Sequence, residues 1–175
     1  DVVVFRHPVA GSDYIKRLIG LPGDTVQIKA GLLHLNGQAV SVADAGTFEE
    51  MMAPQGPQGL RPRCENGAVG EGGNCVKSRQ RETLPNGRTH DILNIGTQMT
   101  DDTPVYTVPS GHFFFMGDNR DNSTDSRVPQ AAGGVGFVPL ENLIGRADRI
   151  MFSSAGRSML AFWTWRSDRF FKGIE

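Results

Sequence analysis

Phe113-Phe114-Phe115-Met116-Gly117-Asp118-Asn119-Arg120-Asp121-Asn122-Ser123-Thr124-Asp125-Ser126-Arg127 is the stretch on which the reading of this chain turns. Its first four residues form an apolar run suited to a strand buried on both faces. The run stops at Gly117, and the eleven residues from Gly117 to Arg127 hold almost nothing apolar. Their three Asp, two Asn, two Ser and two Arg cannot all be buried without partners, because unpaired polar groups are costly in an apolar interior. A solvated turn after a strand is the plain alternative, since most polar loops are surface connections. Against it, the loop hangs on a very hydrophobic strand that fixes its base, and its charges alternate in sign and so can pair. A calcium loop fits poorly. Counting from Asp121, oxygen ligands fall at Ser123 and Asp125, but Ser126 stands where the sharp turn needs Gly and Ala132 where a bidentate Glu is required. No metal is expected.

The 175 residues suffice for one ordinary domain, or a domain with a large insertion, around a substantial core. With 18 basic and 19 acidic residues the net charge is −1, which implies no nucleic-acid surface. Gly 22, Pro 10 and short apolar segments favour an all-β chain with many turns. No apolar segment approaches the roughly 18 residues needed to span a bilayer, and there is no secretory hydrophobic region. Asp1-Val2-Val3-Val4-Phe5 begins in mid-strand. Because an exposed strand at a true terminus leaves edge groups unpaired, more chain is expected before Asp1.

Val2 to Phe5 reads as a strand ended by His7-Pro8, and Tyr14 to Leu21 as a second, closed by the turn Leu21-Pro22-Gly23-Asp24. Neighbours in a strand point to opposite faces, so Lys16 and Arg17 cannot share one environment, and Tyr14, Lys16 and Leu18 lie on one side. Thr25 to Ile28 and Leu32 to Leu35 predict a hairpin, with a further turn at Asn36-Gly37. Between Val42 and Thr103 the pattern decays, apart from alternation over Arg88 to Ile95. Residues 25–108 are accordingly read as an inserted, loop-rich β subdomain, and 1–24 with 109–175 as the main β core. Val105 to Val108 leads into the apolar strand; Leu140 to Gly145 reads as a short helical turn and Arg146 to Phe152 as a closing strand.

Cys64 and Cys75 lie in a Gly-rich loop. Two Cys alone do not make a tetrahedral zinc site, and the nearest His are far along the chain. In an oxidising compartment a bridge between them would contribute on the order of 3 kcal/mol. A disulfide is therefore expected on condition that this part of the protein is exported. The Phe162 to Phe171 tail mixes aromatics with bases. It reads either as a packed terminal segment or as a shallow contact with a membrane lipid surface.

The block from Gly117 to Arg127, with Thr124 as its one free position, resembles the most distinctive motif of bacterial type I signal peptidases. Asp13-Tyr14-Ile15-Lys16-Arg17-Leu18-Ile19-Gly20-Leu21-Pro22-Gly23-Asp24 resembles the second diagnostic block of that family, in the right order before the first. The resemblance covers Asp1 to Asp24 and Val105 to Phe152, and treats the middle as the family's variable insertion. It implies coiled antiparallel β-sheets, no cofactor, and a membrane-bound serine endopeptidase that removes signal peptides from exported preproteins at small, Ala-x-Ala-like sites. The implied location is the bacterial inner membrane, with the catalytic domain facing the periplasm.

A lone lysine in a strand is ordinarily a solvated edge charge. By the resemblance, Lys16 is instead the general base of a Ser–Lys dyad, and Asp13, Tyr14 and Ile15 pair with substrate as an added strand. A lysine near pKa 10.4 is protonated at neutral pH, and bringing it near neutrality takes roughly 4 kcal/mol of selective destabilisation of the ammonium. Packing against Tyr14, Leu18 and Phe113 to Met116 would supply that desolvation. A hydroxyl is a suitable orienting partner because it adds no countercharge, and Ser123 matches the family residue with that task. Nearby carboxylates would raise the lysine pKa, so the loop's acids should be tied to arginines. The resemblance implies Asp118 with Arg17 and Asp125 with Arg127, on a strand end marked by Gly117. The family's nucleophile lies in a Ser-Met-x-Pro-like segment that is absent here, and Ser123 and Ser126 are carried over only as supporting residues. The expectation is an enzyme whose attacking serine lies upstream of these residues, so that this chain alone is inactive. A non-catalytic peptide-binding or scaffold relative is the second reading. A self-cleaving repressor is the third, and it would have no use for the cysteine loop or aromatic tail.

Overall fold

The structure is a computed structural model that describes residues 1–55, 59–151, 153 and 167–174. The described chain is built almost wholly of antiparallel strands and short 3-10 turns. The strands are β1 (Val2–Arg6), β2 (Asp13–Gly20), β3 (Thr25–Lys29), β4 (Leu32–Leu35), β5 (Gln38–Ala39), β6 (Ser41–Met51), β7 (Asn74–Thr83) and β8 (Thr89–Asn94). They continue as β9 (Tyr106–Thr107), β10 (His112–Met116), β11 (Val138–Pro139), β12 (Leu143–Arg146), β13 (Arg149–Ile150) and β14 (Lys172–Gly173).

The main sheet runs β11-β10-β2-β1-β12. β10 is its apolar centre: Phe114 and Phe115 are fully buried and Met116 nearly so. Alternation sends these side chains to both faces. Phe114 and Met116 enter a cluster with Ile19, Val26, Ile28, Leu33 and Val108, whereas Phe115 stacks on Phe5 beside Val3, Val135 and Val138. β2 splits in the same way. Ile19 joins the first cluster, while Tyr14 and Leu18 pack against the second.

A second sheet, β5-β4-β3-β9, lies against the first cluster. Residues 25–40 and 105–108, which the sequence reading assigns to the inserted subdomain, thus share one core with Ile19 and Phe114. The third sheet, β6-β7-β8, contains two long strands where the sequence pattern is weak. Cys64 and Cys75 are joined by a disulfide at the start of this sheet, with Cys75 fully buried.

Two expectations near the C-terminus are corrected. Leu140 to Gly145 is a 3-10 turn over Leu140–Asn142 followed by β12, which pairs with β1 and ends at Arg146. Of the expected closing strand, Arg146 ends β12 and Arg149–Ile150 form β13, paired with β14, while residue 152 lies outside the described residues. In the aromatic tail, residues 162–166 lie outside the described residues. Phe170 and Phe171 are 40% and 59% exposed.

Candidate active site

Two segments meet at the end of β10: the middle of β2, and the loop that β10 feeds into. Lys16 projects from β2 on the face shared with Tyr14, and its Nζ lies 5.8 Å from the centre of the Tyr14 ring. The same Nζ donates to Ser123 Oγ at 2.9 Å. Burial is the main influence on the Lys16 amine and holds its pKa below the usual lysine value. Asp125 pulls the other way, Arg127 lowers it, and Asp118 raises it.

The loop places Ser123 by close packing. Arg120–Asn122 form a single 3-10 turn, and Ser123 is its C-terminal cap. Gly117 lies directly against this serine: a Cβ on Gly117 would sit 2.1 Å from Ser123 Oγ. No side chain fits there, so the strand-ending glycine is a requirement of space.

Arg17 is buried on the opposite face of β2 from Lys16. Its Nε and Nη2 donate to the two oxygens of Asp118 at 2.7 and 2.9 Å. Arg127 grips the fully buried Asp125 with Nε at 2.9 Å and Nη2 at 2.8 Å. The Asp125 carboxylate also accepts the Gly117 N–H at 3.0 Å and the Arg127 N–H at 3.2 Å. Ser126 is buried, and its Oγ accepts the Phe115 N–H at 2.9 Å, extending the edge of β10. No group of three or more His, Cys, Asp or Glu among the described residues is arranged to hold a metal ion.

Asp13, Tyr14 and Ile15 lie at an open sheet edge. Leu18 N–H donates to the Asp1 carbonyl and His7 N–H to the Ser12 carbonyl. These two bonds fix the phase of the β1–β2 ladder. The main chains of Tyr14, Lys16 and Leu18 face β1, and those of Asp13, Ile15 and Arg17 face away. β10 pairs with β2 only as far as Arg17 before it turns off at Gly117. Among the described residues no strand pairs with the Asp13 and Ile15 edge.

Sequence reasoning missed a second set of contacts behind the loop. Arg120, 5% exposed, makes a two-pronged contact to the fully buried Glu82 of β7 at 2.9 and 2.6 Å, and His90 Nε2 stands 3.0 Å from the same carboxylate. Asp121 accepts the N–H groups of Ile95 and Gly96 at 2.7 and 3.2 Å. Arg63 Nη1 donates to the Asp121 carbonyl at 2.9 Å, and Leu93 N–H to the Asp118 carbonyl at 2.8 Å. Alternating charge in the loop signalled that its ions would be paired, but nothing local named partners 38 residues away.

The site thus sets a largely desolvated amine on a hydroxyl beside an open strand edge. The family described as signal peptidase, peptidase S26, matches residues 1–152. Signal peptidase I of Rickettsia typhi is 39% identical over 162 residues, covering 88% of this chain and 52% of that protein. The Rickettsia prowazekii protein of the same name is 38% identical over the same length and shares. The chain spans about half the length of the curated relatives it matches. A crystal structure of a signal peptidase I from Enterococcus faecalis aligns with 25% identity and a TM-score of 0.41, covering 84% of this chain and 92% of that one. With a match running unbroken from β1 through β13, and with both blocks that form the site inside it, the chain belongs to the signal peptidase family, peptidase S26.

Proposed function

We propose that this chain forms the catalytic core of a serine endopeptidase that cleaves signal peptides from exported preproteins, with Lys16 as general base. One observation carries the reading. The Lys16 amine is largely buried, its pKa is lowered by that burial, and its nearest hydrogen-bond partner is the uncharged Ser123 hydroxyl at 2.9 Å. Its neighbouring acids, Asp118 and Asp125, are each held by a guanidinium.

In this reading the neutral amine takes the proton from an attacking serine hydroxyl as its oxygen adds to the scissile carbonyl. The ammonium so formed gives that proton to the leaving amine. A water, deprotonated by the same lysine, then releases the acyl group and regenerates the serine. Ser123 aims the amine throughout. The attacking serine comes from a segment outside these 175 residues, so this chain alone hydrolyses nothing. The substrate lies as an added strand on the open edge of β2, bonded to the main chains of Asp13 and Ile15. It presents small residues at the cleavage site. The enzyme works at the bacterial inner membrane with this core facing the periplasm, and the Phe162 to Phe171 tail touches the lipid surface. The β6-β7-β8 sheet, within the 25–108 accessory segment, backs the site.

The deciding experiment substitutes Lys16→Ala in the whole protein and follows preprotein cleavage alongside thermal unfolding. Cleavage is expected to vanish while the unfolding temperature holds. Near-normal turnover would remove Lys16 from the mechanism.

A further inference from the structure

The stretch on either side of Ser123 is anchored in two different ways. After it, Arg127 binds Asp125, whose carboxylate accepts the Gly117 N–H, so that side is fastened to β10. Before it, three residues are fastened to the accessory sheet and its flanking turn: Asp118 through Leu93, Asp121 through Ile95, Gly96 and Arg63, and Arg120 through Glu82. Arg120 also ties the two sides together, because its carbonyl accepts Arg127 Nη2 at 2.5 Å.

We propose that Glu82, on the accessory sheet, is a positioning residue for the Lys16–Ser123 pair, acting through Arg120. The inference rests on the reading of Lys16 as a base and adds to it a residue from outside both sequence blocks. Glu82 does not touch the amine. Its two oxygens hold a guanidinium in a fork that admits one orientation. That guanidinium belongs to the first residue of the 3-10 turn whose cap is Ser123. Glu82 is fully buried and is held charged by His90 and Arg120 against the effect of its own burial. A buried ion pair stabilises no better than apolar side chains of the same volume, so its distinctive effect is on direction. A short turn fixed in direction at its first residue delivers its cap to one place. The consequence is large at such a site, because a displacement of about 1 Å costs roughly a hundredfold in rate.

The test is the titration of the Lys16 ε-amine, followed by NMR in the 175-residue chain carrying labelled lysine, of which there are four. Three proteins are compared: the parent, Glu82→Gln, and Ile28→Val, a buried truncation on β3 that serves as the control for general loosening. Removing the Glu82 charge alone, at fixed geometry, would make the Lys16 ammonium less favourable and lower its pKa. Release of the turn does the opposite: Ser123 moves off, water reaches the amine, and its proton affinity rises roughly tenfold. An upward shift in Glu82→Gln, absent from Ile28→Val, is the expected result. A downward shift, no shift, or an equal rise in Ile28→Val overturns the inference while leaving the base assignment standing. A parent Lys16 titrating in the ordinary lysine range overturns both. Should Glu82→Gln fail to fold, Arg120→Lys keeps the charge and loses the fork. The same upward shift is expected there, and its absence refutes the proposal.

Discussion

Gly117→Ala is the sharpest single perturbation of this site, because the structure says where the added methyl goes. It would stand 2.1 Å from Ser123 Oγ and 2.5 Å from Ser123 Cβ, but 3.6 Å from Lys16 Nζ. An ordinary carbon contact is about 3.5 Å. The lysine therefore feels nothing, and the serine must retreat by more than about 1 Å. The 2.9 Å hydrogen bond between them breaks unless the turn moves as a body, which the Arg120 and Asp121 contacts oppose. Overpacking of this kind costs about 1–3 kcal/mol, and the lost hydrogen bond about 1 kcal/mol. At roughly 2–4 °C per kcal/mol for a chain of this size, the unfolding temperature falls on the order of 5–10 °C.

In the whole protein the same displacement should lower kcat roughly a hundredfold. KM should change little, because the open edge at Asp13 and Ile15 lies away from the clash. Gly145→Ala is the matched control, since a Cβ there meets nothing within 4 Å. Calorimetry and steady-state kinetics on the two variants decide the matter. A Gly117→Ala protein with the melting temperature and turnover of Gly145→Ala would refute the claim that Ser123 is held where it is for the sake of the amine.

Lys16→Met should stabilise the chain at neutral pH. The folded-state pKa of Lys16 lies below its ordinary value of 10.5, so the buried ammonium destabilises the fold until pH rises through that folded value, and the advantage of Met should vanish above about pH 10.5 in urea titrations. Reduction of Cys64–Cys75, eleven residues apart, should cost on the order of 3 kcal/mol, read as a drop in melting temperature that Cys64→Ser with Cys75→Ser reproduces without reductant. Glu82 has its pKa lowered from 4.5 to about 2, so its contribution is complete above 4.5 and lost as pH falls towards 2. Between those pH values the parent should lose on the order of 3 kcal/mol that Glu82→Gln does not lose, as measured by urea unfolding across the range.

The strand residues around Lys16 were legible because their signals are local. Four apolar residues ending at a glycine mark β10, and period-two alternation alone puts Lys16 with Tyr14 and Leu18 and away from Arg17. The accessory sheet was illegible because its strands break the assumptions behind such patterns. β6 alternates poorly since its register shifts between Asp44 and Thr47, around Gly46 at φ 81°. In β7 the buried positions include Lys77 and Glu82, both of which a hydrophobicity pattern scores as solvent-facing. Each is buried with a partner of opposite charge from elsewhere in the chain, Glu50 for Lys77 and Arg120 for Glu82. Such a strand cannot be recognised until its partner is known. The same blindness hid Glu82 from any reading of the site.

Glu82 and the loop's own acids bear on one electrostatic condition. Burial can lower a lysine pKa only where no carboxylate is free to pair with the ammonium, since a single unclaimed acid within about 4–6 Å can offset it. The loop offers three acids, and each is engaged. Asp118 is occupied by Arg17, Asp125 by Arg127 and two main-chain N–H groups, and Asp121 by the Ile95 and Gly96 N–H groups. The amine instead points at a hydroxyl, which orients it without charging it. Asp125 and Asp121 take main-chain donors, Asp121 through Oδ2 alone, and such donors bring no cation near Lys16. Arg127 also disfavours the ammonium directly, and Arg17 and Arg127 each occupy one of its would-be partners. A loop built from as many charges as this one therefore surrounds an amine of lowered pKa, and its polarity, which at first suggests solvent, is what makes a largely desolvated amine sustainable.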